Sequence, residues 1–287
     1  MYQLHIIILA AAYVTVCAGS YLMVRSAGAI SLGQGALLGI GAYAIAIGSA
    51  EFGLPYWVSL VSAVGLSSLA GLVLAHLSIR LQGDYLVIST LSFQLVLYEI
   101  ALNFTGLTNG PMGIVGVPRP ELLGMSFESE SWLLGFALVV AIAALAVAST
   151  VQRSPFGSVL VAVREQPTIA TATGYSVRSI KAQVCALGGV FAGMGGAVIA
   201  GATRFVDPSV MALGESLLIL SIIVLAGNRV IIGTLFGVAI VVIAPELLRF
   251  VGFSAPAVGY ARGITYGLLL TLAARGSLFS ARFTGWH

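Results

Sequence analysis

The sequence predicts an all-α membrane protein with eight to nine transmembrane helices, in a single domain over residues 1–287. Three observations support this. Hydrophobic residues make up 59% of the chain and the mean hydropathy is +1.06. Only 13 basic and 10 acidic residues occur among 287. Apolar runs of about 20 residues, enough to cross a bilayer, recur along the chain. A soluble domain could not bury so much apolar surface.

The composition disfavours several other classes of protein. A net charge of +3 is too small to indicate nucleic-acid binding. Cys17 and Cys185 both fall inside apolar runs, so neither a disulfide nor a metal site is indicated. The three histidines are scattered and form no HExxH pair, which disfavours an intramembrane metalloenzyme.

The apolar runs give the order of the predicted spans. The first ends at Arg25 and is interpreted as a span, because no basic residues precede it as they would in a signal peptide. The others cover residues 29–50, 56–79, 85–104, 132–151, 182–202, 216–227, 230–250 and 263–274. The second and sixth runs are rich in glycine, which allows close approach of a neighbouring helix deep in a bundle.

The polar segment 152–181 is too hydrophilic to lie in lipid. Its charged residues are Arg153, Arg164, Arg178 and Lys181 against Glu165. Short loops rich in Lys and Arg stay on the cytoplasmic side, so this loop is predicted to be cytoplasmic. Arg275 and Arg282 place the C-terminal tail on the same side.

The same segment has a helical pattern. Pro155 suits the first turn of a helix. Apolar residues follow at roughly helical spacing, at Val159, Leu160, Val163, Ile169 and Ala170, and Gly157 and Gly174 bracket them. A simple connection needs about two to eight residues, so about thirty suggest a docking surface. The alternative is a flexible basic connector.

The segment 105–131 has the composition of an outer loop. Its many glycines and prolines favour an irregular loop over a helix. Its charges are Arg119 against Glu121, Glu128 and Glu130, a net acidic balance that suits the side opposite the basic loop.

Four polar residues within the spans are candidates for a substrate path: Gln34, Gln94, Glu99 and Asn103. A carboxylate in a span is costly unless it has a partner, so Glu99 is expected to face protein, water or the outer boundary. A Glu99 side chain that snorkels to the outer boundary is the alternative. For the second span, the alternative is a packing helix without substrate contact.

Three stretches resemble the M-type permease of bacterial branched-chain amino acid ABC importers. They are SLGQGALLGIGAY (31–43), TGLTNGPMGIVGVP (105–118) and SPFGSVLVAVREQPTIATATG (154–174). Smaller motifs follow in the family's order, from FAGMGGA (191–197) and DPS (207–209) to IIGTLFG (231–237) and PELLR (245–249). The chain departs from the family's usual residues at Ser158, Val161, Thr171, Asn228 and Arg229.

The resemblance implies a permease subunit that imports branched-chain or other neutral amino acids across a bacterial inner membrane. The implied partners are a second permease subunit in a hetero- or homodimer, two cytoplasmic ATP-binding subunits and a periplasmic solute-binding protein. The chain has no GxxxxGK[ST] loop, so ATP is expected on the partner subunits and no cofactor on this chain. The residues expected to couple to the ATPase are Pro155, Gly157, Arg164, Glu165, Ala170 and Gly174.

Two alternatives stay open at this point. One is an ion-coupled secondary transporter in which Glu99 or Glu246 is the coupling carboxylate. The other is an ABC permease for urea or amides. In each case the chain is expected to be a transporter component and not an enzyme.

Overall fold

A computed structural model describes residues 2–78, 81, 83–122, 125–126, 129–227, 229–246, 259 and 263–271. Five of its helices are long and apolar enough to cross a membrane. They are α1 (Tyr2–Tyr21, continued by a π-helical turn to Ser26), α3 (Tyr56–Ser78), α4 (Asp84–Asn103), α6 (Glu130–Arg153) and α9 (Val177–Thr203). They correspond to the first, third, fourth, fifth and sixth predicted spans.

The other helices are shorter. They are α2 (Gln34–Ala46, with a π-helical turn to Glu51), α5 (Thr105–Thr108), α7 (Pro155–Glu165), α8 (Pro167–Ala172), α10 (Leu213–Ala226), α11 (Val230–Val238, with helical turns to Glu246) and α12 (263–271). The predicted all-α polytopic membrane fold is confirmed. The predicted C-terminal charges Arg275 and Arg282 lie outside the described residues, as does Asn228.

One predicted boundary differs from the structure. The second span was expected from about residue 29, but α2 begins at Gln34 and residues 27–33 are not helical. Gly28 has a φ of +70°, a left-handed conformation that glycine adopts without strain. The apolar run therefore includes an irregular segment, which hydropathy does not distinguish from helix.

Glycines bring α2, α3 and α9 into backbone contact. A Cβ on Gly41 of α2 would lie 2.5 Å from the Cα of Gly193 in α9. A Cβ on Gly196 would overlap the carbonyl of Leu38 in α2, and one on Gly189 would overlap the carbonyl of Ser67 in α3. Every residue of α2 except Ile40 is buried. The expectation that the glycine-rich second and sixth spans pack deep in a bundle is therefore confirmed.

The α3, α4 and α6 helices form the periphery. Only 33%, 17% and 33% of their most apolar windows are buried, compared with 83% for the first span and 78% for α9. Exposed apolar side chains cover the outward faces of these three helices. These faces suit contact with lipid or with another membrane subunit.

Two pairs of short strands lie at the end of the bundle opposite α7. Strand β1 (Ile114–Val115) pairs antiparallel with β4 (Phe205–Val206), and β2 (Glu121–Leu122) pairs with β3 (Met125–Ser126). The backbone N–H groups of Gly116 and Val117 also donate to the carbonyl of Arg204. The segment 105–131 was expected to be irregular, but it contains three short strands. Residues 204–206, far along the chain, supply the partners for β1 and the residues after it, whereas β2 and β3 pair with each other.

The glycine contacts generate a stability prediction. We expect Gly196→Ala to lower the free energy of unfolding by about 1–3 kcal/mol, because the added methyl group overpacks the contact with α2. Gly65→Ala in α3 is the matched control, since its Cβ meets nothing within 4 Å. Both changes gain the same helix propensity. Thermal unfolding of the purified chain in detergent measures the difference. Equal unfolding temperatures would show that the helices do not pack as described.

Candidate functional site

The segment between α6 and α9 forms two short helices. Ser154 caps α7, its Oγ accepting a hydrogen bond from the N–H of Gly157 at 3.3 Å, and Pro155 occupies the first turn. Leu160 and Val163 are buried, with 0% and 2% exposure. The predicted amphipathic helix is confirmed, although it is interrupted at Gln166, which separates α7 from α8.

The two glycines of this segment have different roles. Gly174 ends α8 with a φ of +91°, and the N–H of Tyr175 donates to the carbonyl of Ala170 across this turn. Gly157 does not bracket the helix as expected but lies in the first turn of α7. A Cβ there would overlap the carbonyl of Gln152, so glycine allows α7 to fold back closely on the end of α6.

Arg164 and Glu165, at the end of α7, point in different directions. The Nη1 of Arg164 donates a hydrogen bond to the backbone carbonyl of Arg25, at the end of the first span. The Arg164 side chain crosses Gly28, where a Cβ would lie 2.5 Å from its Cγ. Glu165 is exposed, and so is Ile169 in α8, whereas Ala170 is buried. Thus α7 is attached to the bundle through Arg164 and presents Glu165 outward.

Arg25 extends this attachment to α10. Its Nη2 donates to the carbonyl of Val224 at 2.8 Å and its Nε to that of Ile223 at 3.4 Å. The Oη of Tyr21 donates to the carbonyl of Gly227 at 3.3 Å. The last carbonyls of a helix have no partner within the helix, so these side chains cap the end of α10. We call this set the α10 clamp: Tyr21, Arg25, Arg164 and the carbonyls of residues 223, 224 and 227.

A second polar cluster joins the starts of α2 and α10. The backbone N–H of Gly35 donates to the Oγ of Ser216 at 2.8 Å, and that hydroxyl donates to the Oε1 of Gln94 at 2.5 Å. The Nε2 of Gln94 donates to the carbonyl of Met211 at 3.0 Å. Gln94 and Ser216 are 0% and 1% exposed. Ser216 thus joins the beginning of α10 to the beginning of α2, and Gln94 of α4 holds both Ser216 and the turn before α10.

The irregular segment before α2 is held in the same cluster. The N–H of Leu32 donates to the Oγ1 of Thr90 at 3.0 Å. Gln34 accepts from the Oγ of Ser20 at 2.9 Å and donates to the sulfur of Met23 at 3.0 Å. Non-helical backbone at membrane depth requires such partners, because lipid supplies none. The polar junction comprises Ser20, Met23, Leu32, Gln34, Gly35, Thr90, Gln94, Met211 and Ser216.

The four predicted path residues fall in two places. Gln34 and Gln94 both lie in the polar junction. Glu99 and Asn103 are exposed on the outward face of α4, where the Asn103 amide donates to the Glu99 carboxylate at 3.0 Å. They line an open groove of about 560 Å³ with Leu95, Val96, Ile100 and Phe104. Glu99 is therefore at the protein surface and not in the interior of this chain.

Several residues of these clusters were not singled out from the sequence. Arg25 was interpreted only as the end of a span, and Ser20 and Ser216 were not noticed. One signal in the sequence could have indicated Ser216: it lies beside Glu215 in the first turn of an apolar helix. In the structure the carboxylate of Glu215 accepts a hydrogen bond from the Oη of Tyr13 at 2.7 Å. In the described part of the chain, no three metal-ligating side chains lie together.

The family described as branched-chain amino acid transport system, permease component, matches residues 2–274. The chain belongs to this family. Two relatives are the high-affinity branched-chain amino acid transport system permease proteins LivM of Escherichia coli (strain K12) and Salmonella typhimurium (strain LT2). Each is 30% identical over 260 residues, covering 83% of this chain and 61% of the relative. No solved structure shows significant similarity to the chain.

This permease-family match confirms the resemblance found in the motifs. It spans both the polar junction and the α10 clamp, so the two clusters lie within the region shared with the family. The chain spans about 61% of the length of the LivM relatives. The family membership and the apolar helices together make the chain a multi-pass membrane protein.

The polar junction generates a second stability prediction. We expect Ser216→Ala to lower the free energy of unfolding by about 1–3 kcal/mol, because it leaves the Gly35 N–H and the Gln94 carbonyl oxygen without this partner. Ser92→Ala is the matched control, since Ser92 is exposed and its hydroxyl donates to the carbonyl of Ile88 in its own helix. Thermal unfolding in detergent compares the two variants. If they unfold alike, the junction does not hold α2 to α10.

Proposed function

We propose that this chain is the membrane-spanning permease subunit of an ATP-binding cassette importer for branched-chain or other neutral amino acids. The observation that carries the proposal is the α10 clamp, in which the helix of the basic loop holds the bundle through Arg164 and Arg25. The solute class comes from the LivM relatives, which are named as high-affinity branched-chain amino acid permeases.

The proposed assembly has four kinds of partner. A second permease subunit, identical or different, completes the pore. Two cytoplasmic ATP-binding subunits hold and hydrolyse ATP, and a periplasmic binding protein delivers the solute to the outer loops. The complex lies in a bacterial inner membrane with loop 152–181 and the C-terminus in the cytoplasm, following the positive-inside rule.

The first step of the proposed mechanism is contact between the ATPase and α7–α8. Val161, Glu165 and Ile169 are exposed there and offer apolar and charged groups. Pro155 and Gly157 set the start of α7, while Ala170 and Gly174 seat the end of α8. Closure of the ATP-binding subunits would displace α7, and Arg164 would carry that displacement to the backbone at Arg25.

The second step runs along α10. Arg25 holds the carbonyls of residues 223 and 224, and Ser216 at the other end of this helix holds Gly35 and Gln94. Residues 216 and 224 are about 12 Å apart along the helix axis. A shift of α10 therefore reaches the polar junction. We propose that opening of the junction frees the uncharged amide groups of Gln34 and Gln94 for the solute.

Glu99 and Asn103 have a separate place in this proposal. Their groove on α4 faces away from the bundle, and a carboxylate in a span is disfavoured against lipid. We propose that the second permease covers this face, so that the solute path runs between the two subunits. The alternative is an ABC permease for urea or amides, which uncharged amide groups can bind as well.

Uptake by the reconstituted complex tests the proposed function. We expect ATP-dependent uptake of radiolabelled leucine in proteoliposomes that contain the permease, its ATPase and its binding protein. Excess unlabelled leucine should compete with the label, and urea should not. Uptake by this chain alone, driven by an ion gradient without ATP, would instead support the secondary transporter with Glu99 or Glu246 as the coupling carboxylate.

A substitution in the clamp tests the coupling step. We expect Arg164→Gln to reduce uptake about tenfold, because it removes a charge-assisted hydrogen bond of about 1.5–3 kcal/mol. Arg153→Gln is the matched control, since it makes the same charge change at an exposed position of the same loop. Both complexes are checked for subunit content by gel filtration. Equal uptake by the two assembled variants would contradict a coupling role for Arg164.

Cysteine labelling tests the orientation. Both native cysteines are buried, so their background reaction with an impermeant maleimide should be low. We expect Met112→Cys to be labelled in intact cells after the outer membrane is permeabilised, because Met112 is 82% exposed at the opposite end from α7. Glu165→Cys should be labelled only in inverted vesicles. The reverse pattern would overturn the topology.

A further inference from the structure

A basic cleft lies where the end of α3 meets the beginning of α9. It measures about 390 Å³ and is lined by Leu72, His76, Ser176, Arg178, Ser179 and Ala182. The proposed mechanism uses none of these residues. His76 and Arg178 are both exposed at the mouth of the cleft.

Arg178 and His76 form a hydrogen bond with each other. The Nη2 of Arg178 lies 3.1 Å from the Nδ1 of His76. A guanidinium has N–H donors and no acceptor, so Nδ1 of the imidazole must accept this hydrogen bond. In this arrangement Nε2 is the ring nitrogen that can donate to a ligand. The remaining N–H groups of Arg178 can donate as well.

The hydroxyl groups of the cleft add further donors. The Oγ of Ser176 accepts from the N–H of Ser179 at 3.3 Å, and the Oγ of Ser179 accepts from the Nε2 of Gln183 at 3.3 Å. Accepting these bonds leaves each hydroxyl its hydrogen to donate. Among the residues that the structure describes, no carboxylate lines the cleft. A group of donors without a carboxylate acceptor suits an anion, and a phosphate most of all.

An apolar stripe leads away from the cleft along α3. Leu69, Leu72, Val73 and Leu77 are between 39% and 58% exposed. Their positions at i, i+3, i+4 and i+8 place them on one outward face of the helix. A ligand with an anionic end and a long apolar part would satisfy both the cleft and the stripe. An acidic residue of a soluble protein would satisfy only the cleft.

We propose that this cleft binds the headgroup of an anionic glycerophospholipid, with the phosphate on Arg178, His76 and the two serines. One acyl chain lies along the Leu69–Leu77 stripe. Basic sites between transmembrane helices at the membrane boundary are suited to such headgroups. The proposal is independent of transport, since it concerns a membrane-boundary site that the proposed mechanism does not use.

Native mass spectrometry of the full chain in a neutral detergent tests this inference. Dioleoyl phosphatidylglycerol is compared with dioleoyl phosphatidylcholine, and inorganic phosphate is added as a competitor. We expect the wild-type chain to prefer phosphatidylglycerol, and Arg178→Gln to weaken its retention about tenfold through loss of a charge-assisted contact. Arg153→Gln, which changes the same charge away from the cleft, should retain the lipid as the wild type does.

A second variant tests the apolar part of the site. Leu72→Gln should weaken retention of phosphatidylglycerol while leaving the charged groups in place, because the acyl chain loses an apolar contact. Equal retention by Arg178→Gln and the wild type would overturn the proposal. Full displacement of the lipid by an equal concentration of inorganic phosphate would also overturn it, since the site would then recognise free phosphate. Binding of the ATPase that depends on Arg178, without any change in lipid retention, would assign the cleft to a protein partner instead.

Discussion

The backbone contact between α2, α3 and α9 is the constraint on which the rest of the structure depends. Glycines at positions 41, 193 and 196 leave no side chain between these helices, so their backbones meet directly. This places α2 in the centre of the bundle, where α1, α4 and α10 enclose its non-helical beginning. The polar junction follows from this position, because irregular backbone enclosed in a membrane protein needs hydrogen-bond partners from its neighbours.

The sequence predicted those parts of the fold that depend on local properties. The length and hydropathy of a run determine whether it can span a bilayer, so the five long helices were predicted near their observed bounds. Pro155 and the apolar spacing after it predicted α7 for the same reason. The start of α2 was missed because residues 27–33 are as apolar as the helix that follows. The pairing of β1 with β4 was missed because its two strands are about ninety residues apart.

The candidate site was predicted only in part. Gln34 and Gln94 stand out as amides in apolar helices, but their partners Ser20 and Ser216 do not. Arg25 bonds to backbone carbonyls that belong to no motif, 198 and 199 residues away. Arg164 was expected to contact another subunit through its charge. In the structure its side chain reaches across Gly28 to the first span, a contact that no motif indicates, and its contact with another subunit stays a prediction.

The polar junction has a consequence for the biogenesis of the protein. The N–H groups of Leu32 and Gly35 find their partners 58 and 181 residues further along the chain. A ribosome completes the first four helices well before it reaches Ser216. The partner of Leu32, Thr90, is already present once α4 is made, but until α10 is made the N–H of Gly35 lacks its partner. An unsatisfied backbone N–H costs several kcal/mol in lipid. The polar junction can therefore close only after synthesis of α10, when the beginning of α2 has all of these partners.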